Sequence, residues 1–215
     1  MVKYVWGVDS ASVVNDTLHK CVLKLGTPVF WGRYLSRVES VSEGLTRSEI
    51  NFIRSKGMKI VPIYNDFKSA IGTQNGQIAA RNAIYHAKRL GIPKETVLFA
   101  NIEDFFNIDA NWLIAWKNTI YPSGYRAGFY ANPANGEFGK AYCEAVNTDK
   151  QVGIQTIIWS SWPRPGTTKR TAAPQFNPSK PNCSSNIWAW QYGRDAKECA
   201  VDTNLADTRL LKYLY

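Results

Sequence analysis

Histidine, long apolar runs and paired metal ligands are what this sequence lacks or nearly lacks. No apolar run is long enough to cross a bilayer, so membrane insertion is not expected. Nor is there a basic-then-apolar leader, because Met1-Val2-Lys3 leads straight into a strand-like segment. The chain is therefore expected to be intracellular, to leave by another route, or to be a trimmed mature domain. Histidine occurs only as His19 and His86, both in helical patterns where solvated faces account for them. That argues against Ser-His or Cys-His chemistry. The cysteines, Cys21, Cys143, Cys183 and Cys199, form no CxxC pair and have no histidine at ligand spacing. Neither a metal nor a cofactor is expected. Cys21 and Cys143 read as small buried hydrophobes in helices, whereas Cys183 and Cys199 bracket a strand in polar loops and could bridge in an oxidising compartment. The stretch Gly72-Thr73-Gln74-Asn75-Gly76 reads as a loop before a helix, without the lysine and serine of a P-loop. With lysine and arginine scattered, no zinc-finger spacing and no RNP-like segment, nucleic acid is not an expected partner.

What is present fits one globular domain over residues 1–215, expected to be a monomer. The hydrophobic fraction of 45% and charged fraction of 20% belong to a chain with a packed core, not a disordered one. A net charge of +9 gives a basic surface that favours polyanions or serves solubility alone.

Short β-rich runs alternate with amphipathic stretches along the chain. Strands are predicted over 5–9, 29–35, 59–64, 96–103, 126–130, 155–159, 187–192 and, briefly, 200–202. Helices are predicted over 12–25 with Gly26 as the stop, from Thr46 with Glu49 reaching back to cap it, and over 77–90 before Gly91. Further helices carry Trp112, Leu113 and Trp116 at core spacing and cover 137–146 and 207–213. This is an α/β chain, and eight such strands favour a single compact (β/α)8 TIM-type barrel whose late helices are irregular or missing. The proline-rich, basic segment 161–186 lacks periodicity and reads as a functional loop over the barrel mouth.

In such a barrel the C-terminal strand ends form the active face. There the sequence offers Asp9, Arg33, Tyr34, Tyr64, Asp66, Asn101, Glu103, Tyr130, Trp159, Gln191 and Asp202. Carboxylates mixed with tryptophan and tyrosine describe a sugar site, since aromatic faces stack on pyranose rings and carboxyl groups move protons. Period-two geometry puts Gly7 with Asp9, and Asn101 with Glu103, on inward faces, making Asp9 and Glu103 a candidate pair across the mouth. Singly, each of these residues has a structural explanation. Asp9, for instance, could simply cap the following helix.

The order of Gly7-Val8-Asp9, the fourth-strand segment ending in Glu103, Trp190-Gln191-Tyr192 and Val201-Asp202-Thr203-Asn204 resembles that of family 25 glycoside hydrolases, the lysozyme-type muramidases. The chain is still more similar to the bacterial glycoside-hydrolase-like TIM-barrel domain family. That likeness rests on Gly32-Arg33-Tyr34-Leu35, Leu45-Thr46 with Glu49, Val61-Pro62-Ile63-Tyr64, and the helix between Gly76 and Gly91. The resemblance covers nearly the whole chain. It implies that Glu103 is the general acid, that Asp9 is the early catalytic aspartate, and that Asp202 is a sugar or structural ligand. Where the muramidases carry Asp-x-Glu, this chain has Asn101-Ile102-Glu103. An amide can hold an acetamido group but offers no negative charge to a developing oxocarbenium or oxazolinium ion. Such a loss costs roughly two to three decades of rate. The implied function is hydrolysis of bacterial cell-wall polysaccharide (peptidoglycan or another anionic, amino-sugar glycan) outside the cell. The alternative is a wall-binding barrel with little or no catalysis.

Overall fold

The computed structural model describes residues 3–215; Met1 and Val2 of the expected 1–215 domain lie outside the described residues. The chain runs β1 (Tyr4–Asp9), α1 (Asp16–Leu23), β2 (Phe30–Tyr34), α2 (Arg47–Ser55), β3 (Lys59–Tyr64), α3 (Thr73–Leu90) and β4 (Val97–Asn101). It continues through α4 (Ala110–Ile120), β5 (Arg126–Ala131), α5 (Phe138–Thr148), the short α6 (Gln151–Gln155), β6 (Thr156–Ser160), β7 (Ile187–Gly193) and β8 (Asp202–Asp207). The strands close into a barrel in sequence order.

Local chemistry sets most boundaries. Asn15, Thr46 and Asp109 accept the orphan N–H groups of Leu18, Glu49 and Trp112 at the starts of α1, α2 and α4. Gly91, at φ 74°, turns the chain out of α3 in the left-handed region. Gly76 stands where a Cβ would meet the Trp112 carbonyl oxygen at 2.6 Å, so its missing side chain lets α3 and α4 approach closely. Strand alternation then divides the core in two. Phe30, Val61, Ile63, Val97, Phe99, Ile157 and Trp159 fill the barrel, while Tyr64, Trp112, Trp116 and the alanine face of α3 fill the layer between strands and helices.

Several expectations need correction. The first helix starts at Asp16, and the stretch expected as a glycine loop is helical from Thr73. The fourth strand stops at Asn101, leaving Glu103 just beyond it. The eighth strand is Asp202–Asp207 and runs antiparallel to both β7 and β1. The final helix is a 3-10 segment, Thr208–Tyr213. Among the described residues no α-helix separates β6 from β7 or β7 from β8. The segment 161–186 begins at the mouth, where Arg164 lies 3.6 Å from Asp104, and then covers that bare wall. Arg170 donates its backbone N–H to Leu25 O at 2.8 Å, Phe176 stacks on Tyr4 at 4.4 Å, and Gly166 bonds Tyr192 O at 3.2 Å.

The cysteines pair as Cys21–Cys199 and Cys143–Cys183, with Cα separations of 5.9 and 5.5 Å, not as Cys183–Cys199. Barrel closure brings α1 beside the β7–β8 loop, and segment 161–186 returns past α5. His19 is buried against the Phe52 ring rather than solvated, and His86 is half-buried.

Candidate active site

The barrel mouth is organised around Asp9 at the end of β1. Its neighbour Gly32 on β2 has no room for a side chain, since a Cβ there would lie 2.7 Å from the Asp9 Cβ and 2.9 Å from the Trp159 ring. Because β8 is antiparallel, its first residue, Asp202, sits at the mouth directly opposite Asp9 in the strand pair. Two carboxylates are thus set side by side, which is unfavourable if both are ionised.

Gln191 joins them. Its Nε2 donates to both Asp9 oxygens at 3.2 and 3.3 Å and to Asp202 Oδ2 at 2.9 Å. Asn204 Nδ2 donates to Asp9 Oδ1 at 2.6 Å, while Asn204 Oδ1 accepts from Trp159 Nε1 at 2.9 Å. Asp195, in the left-handed region at φ 55°, gives its backbone N–H to Asp202 Oδ1 at 2.8 Å. On the other side, Gln191 Oε1 accepts from Tyr130 Oη at 2.7 Å and from Arg194 Nε at 2.9 Å. Arg194 Nη2 donates to Tyr130 Oη at 2.5 Å and lies 3.6 Å from Glu103 Oε2. Asn101 Nδ2 completes the chain, donating to Glu103 Oε1 at 2.9 Å.

Burial, opposed by the Asn204 and Gln191 hydrogen bonds, pushes the Asp9 carboxyl above the usual carboxylate range. Burial and then the Asp9 charge push Asp202 up to about 8. The two carboxyls titrate as a pair that keeps a proton into the neutral range. Burial also raises the Tyr34 and Tyr130 phenols, helped in each case by the neighbouring acids, so both stay neutral donors. For Arg194, burial pulls downward, but Tyr130, Glu103 and Asp202 outweigh it and hold the guanidinium charged.

The structure thus brings together Asp9, Tyr34, Asn101, Glu103, Tyr130, Gln191 and Asp202. Trp159 lies beneath them, 1% exposed and edge-on to Tyr130, so it forms the floor and offers no stacking face. Three expected residues stand elsewhere. Arg33 is fully buried and paired with Glu49 at 2.6 Å, so that the Glu49 carboxylate serves this pair instead of the α2 cap. Tyr64 points into the helix layer, 6.3 Å from the Trp116 ring centre. Asp66 is exposed, and its charge acts on Tyr64 and on His86 of α3. Sequence reasoning missed Arg194; its one signal is its place just past β7, after Trp190-Gln191-Tyr192-Gly193. Among the described residues no three His, Cys, Asp or Glu side chains are grouped to hold a metal ion, and no helix is long and apolar enough to cross a membrane.

A family model described as "Rv2525c-like, glycoside hydrolase-like domain" matches residues 28–203. An uncharacterized protein of B. stearothermophilus is 62% identical over 98% of this chain and 100% of its own, with a TM-score of 0.97. A family 25 glycosyl hydrolase from Bacillus anthracis is 14% identical over 94% of this chain and 88% of its own, with a TM-score of 0.57. The modular autolysin LytC of Streptococcus pneumoniae, solved with a synthetic peptidoglycan ligand, is 11% identical over 94% of this chain and 46% of its own, with a TM-score of 0.58. At such identities the last two show a shared fold alone. No curated protein matches the chain.

Proposed function

This chain belongs to the Rv2525c-like, glycoside hydrolase-like domain family, and from that premise we propose that it hydrolyses an amino-sugar polymer of the bacterial cell wall. The observation that carries this reading is Glu103 standing half-exposed at the mouth beside the Asp9–Asp202 pair, with one oxygen fixed by Asn101. In the proposed reaction Glu103 gives a proton from Oε2 to the glycosidic oxygen as the C–O bond breaks. Water adds its oxygen to the anomeric carbon, and the water proton returns to the carboxylate. In this reading Asn101 Oδ1 accepts from a substrate acetamido N–H while Nδ2 orients Glu103. The Asp9–Asp202 pair supplies the negative charge that Asn101 lacks. Two disulfides support action outside the cell, in an oxidising setting. In this reading the protein acts as a monomer and needs no cofactor.

A second reading, a barrel that binds wall glycan without cleaving it, draws on the same contacts. Asn101 replaces a charged group, and Arg194 stands 3.6 Å from the proton-donating oxygen. Incubation of the purified protein with bacterial cell walls separates the two. Release of reducing ends that falls about 10²–10⁴-fold in Glu103→Gln supports hydrolysis. Retention on insoluble peptidoglycan with no release supports the binding barrel. Equal release by Glu103→Gln removes Glu103 from the mechanism.

A further inference from the structure

A second concave site lies on the outside of the barrel. Among the described residues no α-helix covers the wall between β6 and β7, and segment 161–186 leaves a cavity of about 700 Å³ there. That size falls within the ~300–1,000 Å³ of small-molecule sites. Alternation along β7 separates this cavity from the mouth. Gln191 points inward to Asp9, so its neighbour Trp190 points outward, into the cavity wall. None of Asp9, Glu103, Arg194 and Asp202 lines it.

The walls are irregular chain, firmly held. Trp190 Nε1 donates to Pro163 O at 2.9 Å, and the Ser179 N–H donates to Trp162 O at 2.7 Å. Phe176 is stacked on Tyr4 and edge-on to Trp190 at 6.2 Å. Arg164 lies 5.4 Å over the Trp162 ring and 3.6 Å from Asp104. The Cys143–Cys183 bridge ties the end of the segment to α5.

The lining suits a neutral, hydroxyl-rich ligand. Trp162 and Phe176, both half-buried, supply apolar ring surface, and the exposed amides of Gln175 and Asn177 each bring donors and an acceptor. No carboxylate lines the cavity and its one cation already faces Asp104, so little there selects for charge. A closed barrel also leaves no strand edge on which a peptide could add.

We propose that this outer-wall cavity is a second, non-catalytic glycan site, which takes a neutral N-acetylated amino-sugar segment. This rests on the glycan reading above and adds a point of attachment remote from the chemistry. Trp162 and Phe176 pack against pyranose rings, while Gln175 and Asn177 bond their hydroxyl or acetamido groups. Two attachments to one polymer raise retention through effective concentration and leave the reaction at the mouth unchanged.

The probe is a soluble, neutral N-acetylglucosamine hexamer, titrated into the isotope-labelled Glu103→Gln protein while indole N–H signals are followed by NMR. The Trp162 signal, assigned by its loss in Trp162→Phe, should shift and saturate with a Kd of about 1 mM or tighter. Gln175→Ala/Asn177→Ala, at two exposed positions, should weaken that titration about threefold to tenfold. With Glu103 intact, the same double variant should be retained about threefold less on insoluble peptidoglycan, yet cleave short soluble wall fragments at the wild-type rate. A Trp162 signal that never moves, or that moves equally in the double variant, overturns the site. So does a response to a proline-rich peptide in place of the hexamer, or a loss of short-fragment cleavage that matches the loss of retention. Cleavage of walls by the wild type with a silent Trp162 signal leaves hydrolysis standing without the second site. Saturation of Trp162 with no cleavage of walls does the reverse.

Discussion

Two clusters of buried charge lie within a few residues of the barrel mouth and are built on opposite plans. In the first, Arg33 and Glu49 have side chains 0% and 1% exposed. The Arg33 guanidinium makes five hydrogen bonds, two to Glu49 and three to the carbonyls of Ser10, Ala11 and Glu43. Glu49 also accepts the Val14 N–H at 2.8 Å. One cation meets one anion, every donor is used, and the loops after β1 and β2 are pinned together. In the second, Asp9, Asp202 and Glu103 face the single guanidinium of Arg194, whose Nη1 remains unused. A balanced, satisfied pair holds the backbone. An excess of acid, eased by shared protons and a half-engaged arginine, leaves the mouth with unbalanced charge.

The largest effect expected from breaking this contrast is on the structural pair. Arg33→Met strands the Glu49 carboxylate and should lower stability by about 3–5 kcal/mol, whereas Arg33→Met with Glu49→Leu should recover most of that. Urea unfolding at pH 7 measures both, and a single variant that unfolds like the wild type would erase the distinction between the clusters. Next, removing the Cys21–Cys199 bridge with paired serines should cost about 2–4 kcal/mol. Hydrogen exchange should then speed up in residues 194–201, the loop that carries Arg194, while the neighbourhood of Arg33 stays protected. Unchanged exchange in that loop would show that the bridge does not hold the acidic cluster.

Smaller is the effect of pH on stability that runs through the acidic cluster. The folded Asp202 pKa is raised from 3.8 to about 8, so the native state holds a proton that the unfolded chain releases. Its stabilising contribution is complete below about pH 4 and is lost as pH rises through about 8. Asp202→Asn should therefore flatten the fall in Tm between pH 5 and pH 8 relative to the wild type, as thermal melts across that range would show. Arg33→Met should leave the slope of that fall alone. The smallest change expected is in Glu103→Gln. It should shift stability by less than about 1 kcal/mol despite the catalytic role proposed for Glu103, because its side chain is 26% exposed and keeps the Asn101 bond.

Much of the architecture was legible because it follows from short-range rules. Hydrophobic period, Thr46 as a cap, Gly91 as a stop and the inward face shared by Gly7 and Asp9 all depend on neighbours a few residues away. Asp9, Asn101, Glu103 and Gln191 could be placed at the mouth for the same reason, as polar residues at strand ends, whereas Asp202, read as the end of a strand, reaches the mouth as the first residue of the antiparallel β8. Arg33 and Tyr64 met that criterion equally well and failed, since one turned to Glu49 and the other to Trp116. A strand end specifies height along the barrel, but a partner decides which way a long side chain folds.

The sequence by itself determined the alternation of strands and helices, the barrel class and the glycine and capping positions, because those energies are settled within one or two turns of chain. Only the tertiary structure decided the direction of β8, the disulfide pairing and the contacts of Arg194. An apolar alternation reads the same forwards and backwards, and cysteines carry no label for their partners. Asp9 meets Gln191 across 182 residues and Asn204 across 195, so their hydrogen bonds exist only once the barrel has closed.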